Sequence, residues 1–187
     1  MPQIQPDDIR HCIAPVFKAW SDKKRAINLK VEGNSMEPLI RPGSLVSLRF
    51  ADPSLFTKGD IIAFQTDEHL VVHRLVKKKQ LDGRPWICQK GDNLSGWGWV
   101  PEDRVKGRVE SIKYDDSMRD LTRRPWALVN LTLGLAGWGL VTSFEMLRPL
   151  GSRFFRNREA RALSVAGKIF VDVFNRICRV AVYLGQK

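Results

Sequence analysis

Ala26-Ile27-Asn28-Leu29-Lys30-Val31, followed by Gly33-Asn34-Ser35-Met36-Glu37-Pro38, is the stretch on which the reading of this chain turns. Its first half alternates apolar and polar residues, the pattern of a half-buried strand. Its second half sets one serine between a glycine-containing turn and a Met-x-Pro exit. The combination predicts a strand that ends in a sharp turn and presents one hydroxyl beside the backbone N–H groups of that turn. Further on, Leu70-Val71-Val72-His73-Arg74-Leu75-Val76 places a histidine inside a run of β-forming residues. A serine hydroxyl is a poor nucleophile near neutral pH and needs a base within hydrogen-bond reach. A histidine, with a reference pKa of about 6.5, can be that base. Ser35 and His73 are therefore the candidate nucleophile and base. Gly33, Asn34 and Met36 are the candidate substrate and oxyanion positions, with the Ser35 N–H as first donor.

A serine at a strand end is by itself most often a plain turn residue, and a lone histidine is most often structural. The weight comes from the order of four boxes: Gly33-x-Ser-Met-x-Pro38, Lys58-Gly59-Asp60-Ile61-Ile62, Val72-His73-Arg74 and Lys90-Gly91-Asp92-Asn93. Together, over roughly residues 26 to 114, they resemble the superfamily of type I signal peptidases and LexA-like serine peptidases. The resemblance implies a mainly β peptidase core, a coiled β-sheet, with Ser35 as nucleophile and the base just before an Arg. A histidine at that position resembles the branch found in the endoplasmic reticulum, archaea and some spore-forming bacteria, whereas other bacterial signal peptidases and LexA-like repressors carry lysine there. The resemblance also implies an acid that orients His73. Asp92 is the first candidate, because the fourth box places an Asp there, and Asp103 is the next. Histidine-type signal peptidases usually carry a further acid where this chain has Gly98, and many carry a hydroxyl where it has Gly33. Asp60 reads as a turn residue between strands.

Length and charge bound the rest. At 187 residues the chain has room for one domain and an appendage. Its net charge of +11 implies an anionic partner. From Glu145 to the end, nine basic residues face three acids, over half of that excess. The peptidase-like core is only mildly basic, and no recognised nucleic-acid-binding motif is present, so a nucleic-acid function is not expected. Cys12, Cys88 and Cys178 are scattered and odd in number, which implies neither a disulfide framework nor a zinc site and fits a reducing compartment. His11 and His69 have no partners at metal-ligand spacing. No cofactor or metal is expected.

Three parts are read along the chain. Residues 1–25 carry an amphipathic helix over 7 to 24, with Ile9, Cys12, Ile13, Val16, Phe17 and Trp20 at helical spacing. It is too short and too charged to span a bilayer, and it lacks the pattern of a secretory signal. Residues 26–120 hold the β core: apolar stretches at 45–50, 61–64, 70–76, 86–89 and 105–114 are separated by turn signals such as Pro42-Gly43 and Asp82-Gly83. Residues 121–187 join a hydrophobic segment to a basic amphipathic helix. Pro125 to Phe144 carries no charge over a length close to the minimum for a membrane span; a span, a buried helix and a shallow insertion are all open. Beyond Gly151, one apolar face opposes Lys168, Asp172, Arg176 and Arg179, which suits an anionic membrane surface, a partner's groove or the preceding segment.

The expected function is a membrane-associated serine endopeptidase that cuts an extended peptide or protein precursor by Ser-His catalysis. The simpler topology keeps the core on the cytoplasmic face, whereas a span over 125 to 144 would put it on the exported side. The alternative is a catalytically inactive binding module on a peptidase fold, recruiting partners through the basic C-terminal helix. A LexA-like self-cleaving regulator is disfavoured: the residues before the core are too few for a DNA-binding domain and contain no Ala-Gly pair.

Overall fold

The computed structural model describes residues 26–67 and 69–154, with side chains placed through residue 146, and the isolated positions 172, 173, 176 and 180. The helix expected over residues 7 to 24, and all but a few positions of the basic helix expected beyond Gly151, lie outside the described residues.

Eight strands form one antiparallel sheet: β1 (Ala26–Lys30), β2 (Leu45–Arg49), β3 (Ile61–Gln65), β4 (Leu70–Leu81), β5 (Arg84–Lys90), β6 (Gly98–Pro101), β7 (Val105–Tyr114) and β8 (Ser117–Asp120). Their order is β1-β2-β7-β3-β4-β5-β6, with β8 paired to β7. The fold is a mainly antiparallel β core with a single described C-terminal helix, as expected. Two strands were not anticipated. β6 lies in the Gly-Trp-rich stretch and β8 is the polar string Ser-Met-Arg-Asp; each spans only four residues, too few to show a period. β4 also runs on through Lys77-Lys78-Lys79 because β5 pairs with its whole length. Asp82 and Gly83, both at positive φ, make the two-residue turn that joins them.

Register positions the site. Consecutive residues of a strand point to opposite faces. His73 lies opposite Ile62 of β3 and Arg74 opposite Ile61. A shift between Leu75 and Lys77 against β5 brings Gln89 opposite Leu75, on the His73 side. The turn that carries Ser35 is anchored from below. Met36, Leu39 and Ile40 are fully buried with Val46, Leu48, Val109 and Ile112. Burying each such side chain contributes on the order of 1.5–3 kcal/mol, so the turn is held by its own apolar residues.

One long helix, α1 (Trp126–Phe154), closes the described chain. Its entry is fixed at Pro125, whose carbonyl accepts from the N–H groups of Leu128 and Val129. One face lies on the sheet: Trp126, Leu133, Leu140 and Val141 are buried. Gly134 meets Gly59 backbone to backbone, and a Cβ on Gly134 would stand 2.4 Å from the Gly59 Cα. Lys77 Nζ of β4 reaches Glu145 Oε2 at 2.8 Å. The opposite face exposes Leu128, Leu131, Leu135 and Trp138. The segment from Trp126 to Met146 is long and apolar enough to cross a membrane, yet part of its circumference is committed to the sheet.

Candidate active site

Ser35 sits on the turn after β1, and His73 in the first third of β4. The Ser35 Oγ lies 3.0 Å from His73 Nε2. The other ring nitrogen, Nδ1, faces Gln89 Oε1 of β5 at 2.5 Å. An amide oxygen can only accept, so this contact places the proton on Nδ1 and leaves Nε2 free to accept from the serine hydroxyl. Phe64 stands beside the ring, centroids 5.9 Å apart, and only 9% of His73 is exposed. Burial holds the His73 pKa below its ordinary value; the Gln89 hydrogen bond and the nearby Asp92 charge oppose this, and Lys90 reinforces it. The imidazole is thereby kept neutral and able to accept a proton.

The fourth box builds the floor of the site. Gly91 comes so close to the nucleophile turn that a Cβ on it would lie 2.8 Å from the Ser35 carbonyl oxygen. The Asn93 N–H donates to that same oxygen at 2.8 Å, and the Asn93 side-chain amide donates to the Asn34 carbonyl at 3.3 Å. Lys90 Nζ donates to the Gly91 carbonyl at 2.9 Å and to that of Leu94 at 2.5 Å. Residues 90–94 thus form a braced loop that fixes Ser35 through its main chain.

The acids expected to orient His73 do other work. Asp92 is buried, and both its oxygens accept from Arg74: Oδ1 from Nε at 2.8 Å and Oδ2 from Nη2 at 2.6 Å. Arg74 Nη1 donates to the Gly59 carbonyl at 2.8 Å and to Asn130 Oδ1 of α1 at 2.9 Å. Asp92 follows β5 and meets the Arg74 side of β4, so it reaches His73 only through space. Asp103 is exposed in the short turn between β6 and β7, and its carbonyl accepts from Lys106. Asp60 is a turn residue, as expected, accepting from the Thr57 N–H at 2.7 Å. Gly33 and Asn34 are exposed beside Ser35, whereas the Met36 side chain is buried in the core, so only its main chain is available to a substrate.

Gln89 was not singled out from the sequence. The signal available was a polar residue closing the apolar run Trp86-Ile87-Cys88, one strand beyond the histidine. Among the described residues no cluster of His, Cys, Asp and Glu could hold a metal ion. Cys88 is buried and unpaired, and burial pushes its thiol pKa up to about 12, which makes it inert.

A mostly antiparallel β core of this kind fits a β peptidase fold. Residues 2–83 match the family described as Peptidase S24-like, a match consistent with the LexA- and signal-peptidase-like superfamily of serine peptidases. The match includes Ser35 and His73 and stops short of Gln89 and Asp92. No curated protein matches the chain.

Proposed function

We propose that the protein is a serine endopeptidase in which Ser35 attacks and His73 serves as general base and then general acid. The observation that carries this reading is the 3.0 Å contact between Ser35 Oγ and a buried His73 whose other nitrogen is already engaged. In the first half-reaction Oγ bonds to the scissile carbonyl carbon as its proton passes to His73 Nε2. The C–N bond then breaks, and Nε2 returns that proton to the leaving amine. Water repeats the sequence and releases the acid product and free Ser35. The Ser35 N–H, on a turn fixed by Asn93, is the first donor to the oxyanion.

The substrate is read as an extended segment of a precursor protein. β1 pairs only with β2 among the described residues, so its outer edge, which leads into the Ser35 turn, suits strand addition. Association with an anionic membrane fits the exposed Leu128, Leu131, Leu135 and Trp138 stripe, with Lys58 Nζ 4.3 Å from the Trp138 ring and Arg123 and Arg124 at the helix entry. Because the other face of α1 packs on the sheet, the helix is read as lying in the membrane surface with the core on the same side.

Cleavage of a peptide library by the purified chain, beside Ser35→Ala and His73→Ala, tests the chemistry. Loss in both variants supports it. A chain that binds peptides but cuts none, with or without anionic vesicles, would point to the binding-module alternative. Vesicle co-sedimentation of a Leu131→Glu, Leu135→Glu chain, expected to fall at least about tenfold, tests the membrane reading.

A further inference from the structure

The acid that histidine-type signal peptidases carry at the position of Gly98 has no counterpart here, and the space beside Gly98 is occupied. Gly98 of β6 lies opposite Gln89 of β5 in register. A Cβ built on Gly98 would stand 2.7 Å from Gln89 Nε2, nearer than such atoms approach. The oxygen of the same amide rests on His73 Nδ1. We propose that Gln89 is the positioning residue for His73 in place of a carboxylate, and that Gly98 is required as glycine because it leaves the room in which the Gln89 amide turns its oxygen to the ring. This inference rests on the Ser35–His73 reading above.

Three observations support the assignment. Gln89 has one route to His73: it stands opposite Leu75, and residues 73 and 75 of β4 share a face, so the contact is a diagonal one that a long side chain spans. The nearby carboxylate is committed elsewhere, since both Asp92 oxygens accept from Arg74. Among the described residues, the other groups around the ring are not acceptors for Nδ1. β3 presents Ile62 and Phe64, the nucleophile turn presents the Ser35 hydroxyl to Nε2, and the Lys90 ammonium is held by the carbonyls of Gly91 and Leu94.

A neutral orienter does half of what a carboxylate does. It sets the tautomer and the ring plane, but it adds no full charge to stabilise the imidazolium that forms when Ser35 gives up its proton. Its base therefore works at lower pH than one backed by a carboxylate, in keeping with a His73 pKa held below its ordinary value by burial.

The test joins kinetics to a measurement that needs no turnover. Gln89→Ala is expected to lower kcat about 10²-fold with KM little changed, through loss of ring placement. Gly98→Ala is expected to cause a comparable loss, because the added methyl displaces the flexible amide at little cost to the fold. Combined, the two should cost no more than the larger single loss, since both remove one contact. Gln89→Glu should keep much of the rate but raise the pH of half-maximal kcat by about one unit or more. Nitrogen NMR of the His73 ring should show Nδ1–H in the unaltered chain, loss of that preference in Gln89→Ala, and a higher titration midpoint in Gln89→Glu. Multiplying losses in the double variant, or a His73 titration unmoved by Gln89→Glu, would overturn the proposal. If the unaltered chain cuts nothing, the peptidase reading fails, while the NMR tautomer and titration still decide whether Gln89 governs His73.

Discussion

His73 and Arg74 are neighbours on β4, yet they anchor two regions of opposite character. On one face His73 bridges Ser35 and Gln89, a chain of three uncharged groups beside Phe64. On the other, Arg74 is clamped by Asp92 and ties β4 to Gly59 and to Asn130 of α1, with every contact charge-assisted. The formal charges lie in the structural network and the neutral donors and acceptors in the reactive one. A buried ion pair holds its geometry tightly but cannot change protonation without large cost. A neutral serine and histidine can exchange a proton, while the Gln89 amide only holds the ring in place. The difference teaches that Asp92, the residue best suited by type to assist the base, serves instead to fix the strand on which the base stands.

The comparison breaks first at Ser35. Ser35→Ala should lower peptide cleavage by about 10⁴-fold or more, near 5.4 kcal/mol of barrier, while the denaturant midpoint stays within about 0.5 kcal/mol of the unaltered chain. On the other face, Asp92→Ala leaves a guanidinium buried beside two carbonyl-type oxygens and no counter-ion. Denaturant unfolding should show a loss of about 3–5 kcal/mol, and the paired change Arg74→Met with Asp92→Leu should recover most of it. Smaller again is the seat of α1. Gly134→Val forces side-chain atoms into the Gly59 backbone, and thermal unfolding should show a cost of about 1–3 kcal/mol. The smallest effect concerns pH. The folded pKa of His73 lies below its unfolded value, so the unfolded chain takes up that proton first as pH falls. The contribution of the neutral ring to stability is present above about pH 6.5 and is lost as pH falls through the folded pKa. His73→Gln should flatten that part of the stability profile, whereas Asp92→Ala should keep it and extend it to lower pH, because the Asp92 charge that raises the His73 pKa is gone.

Much of the two regions was legible before folding. The Ser35 turn, the β-forming run around His73, the Asp82-Gly83 hairpin and the uncharged helix segment are local patterns, written in residues close together in the chain. The third member of the reactive cluster was not legible. Gln89 meets His73 because β4 slips against β5 between Leu75 and Lys77, and no periodicity in either strand announces that shift. The same holds for Asp92. The fourth box points to an acid at that position but carries no information on which face of β4 it meets. The role of α1 was open for a similar reason: an uncharged run reads alike whether lipid or a sheet surrounds it. The glycines that admit contact, Gly59 against Gly134, are far apart in sequence.

What the sequence by itself determined is the chemistry available, a serine and a histidine in an order and setting shared with serine peptidases, on a β-rich core of buried alternating residues. Tertiary structure alone decided the allocation: Gln89 to His73, Asp92 to Arg74, and one face of α1 to the sheet. The physical reason is range. Propensity and period act through neighbours along the chain, whereas hydrogen-bond partners on adjacent strands are chosen by register, and register is a property of the assembled sheet.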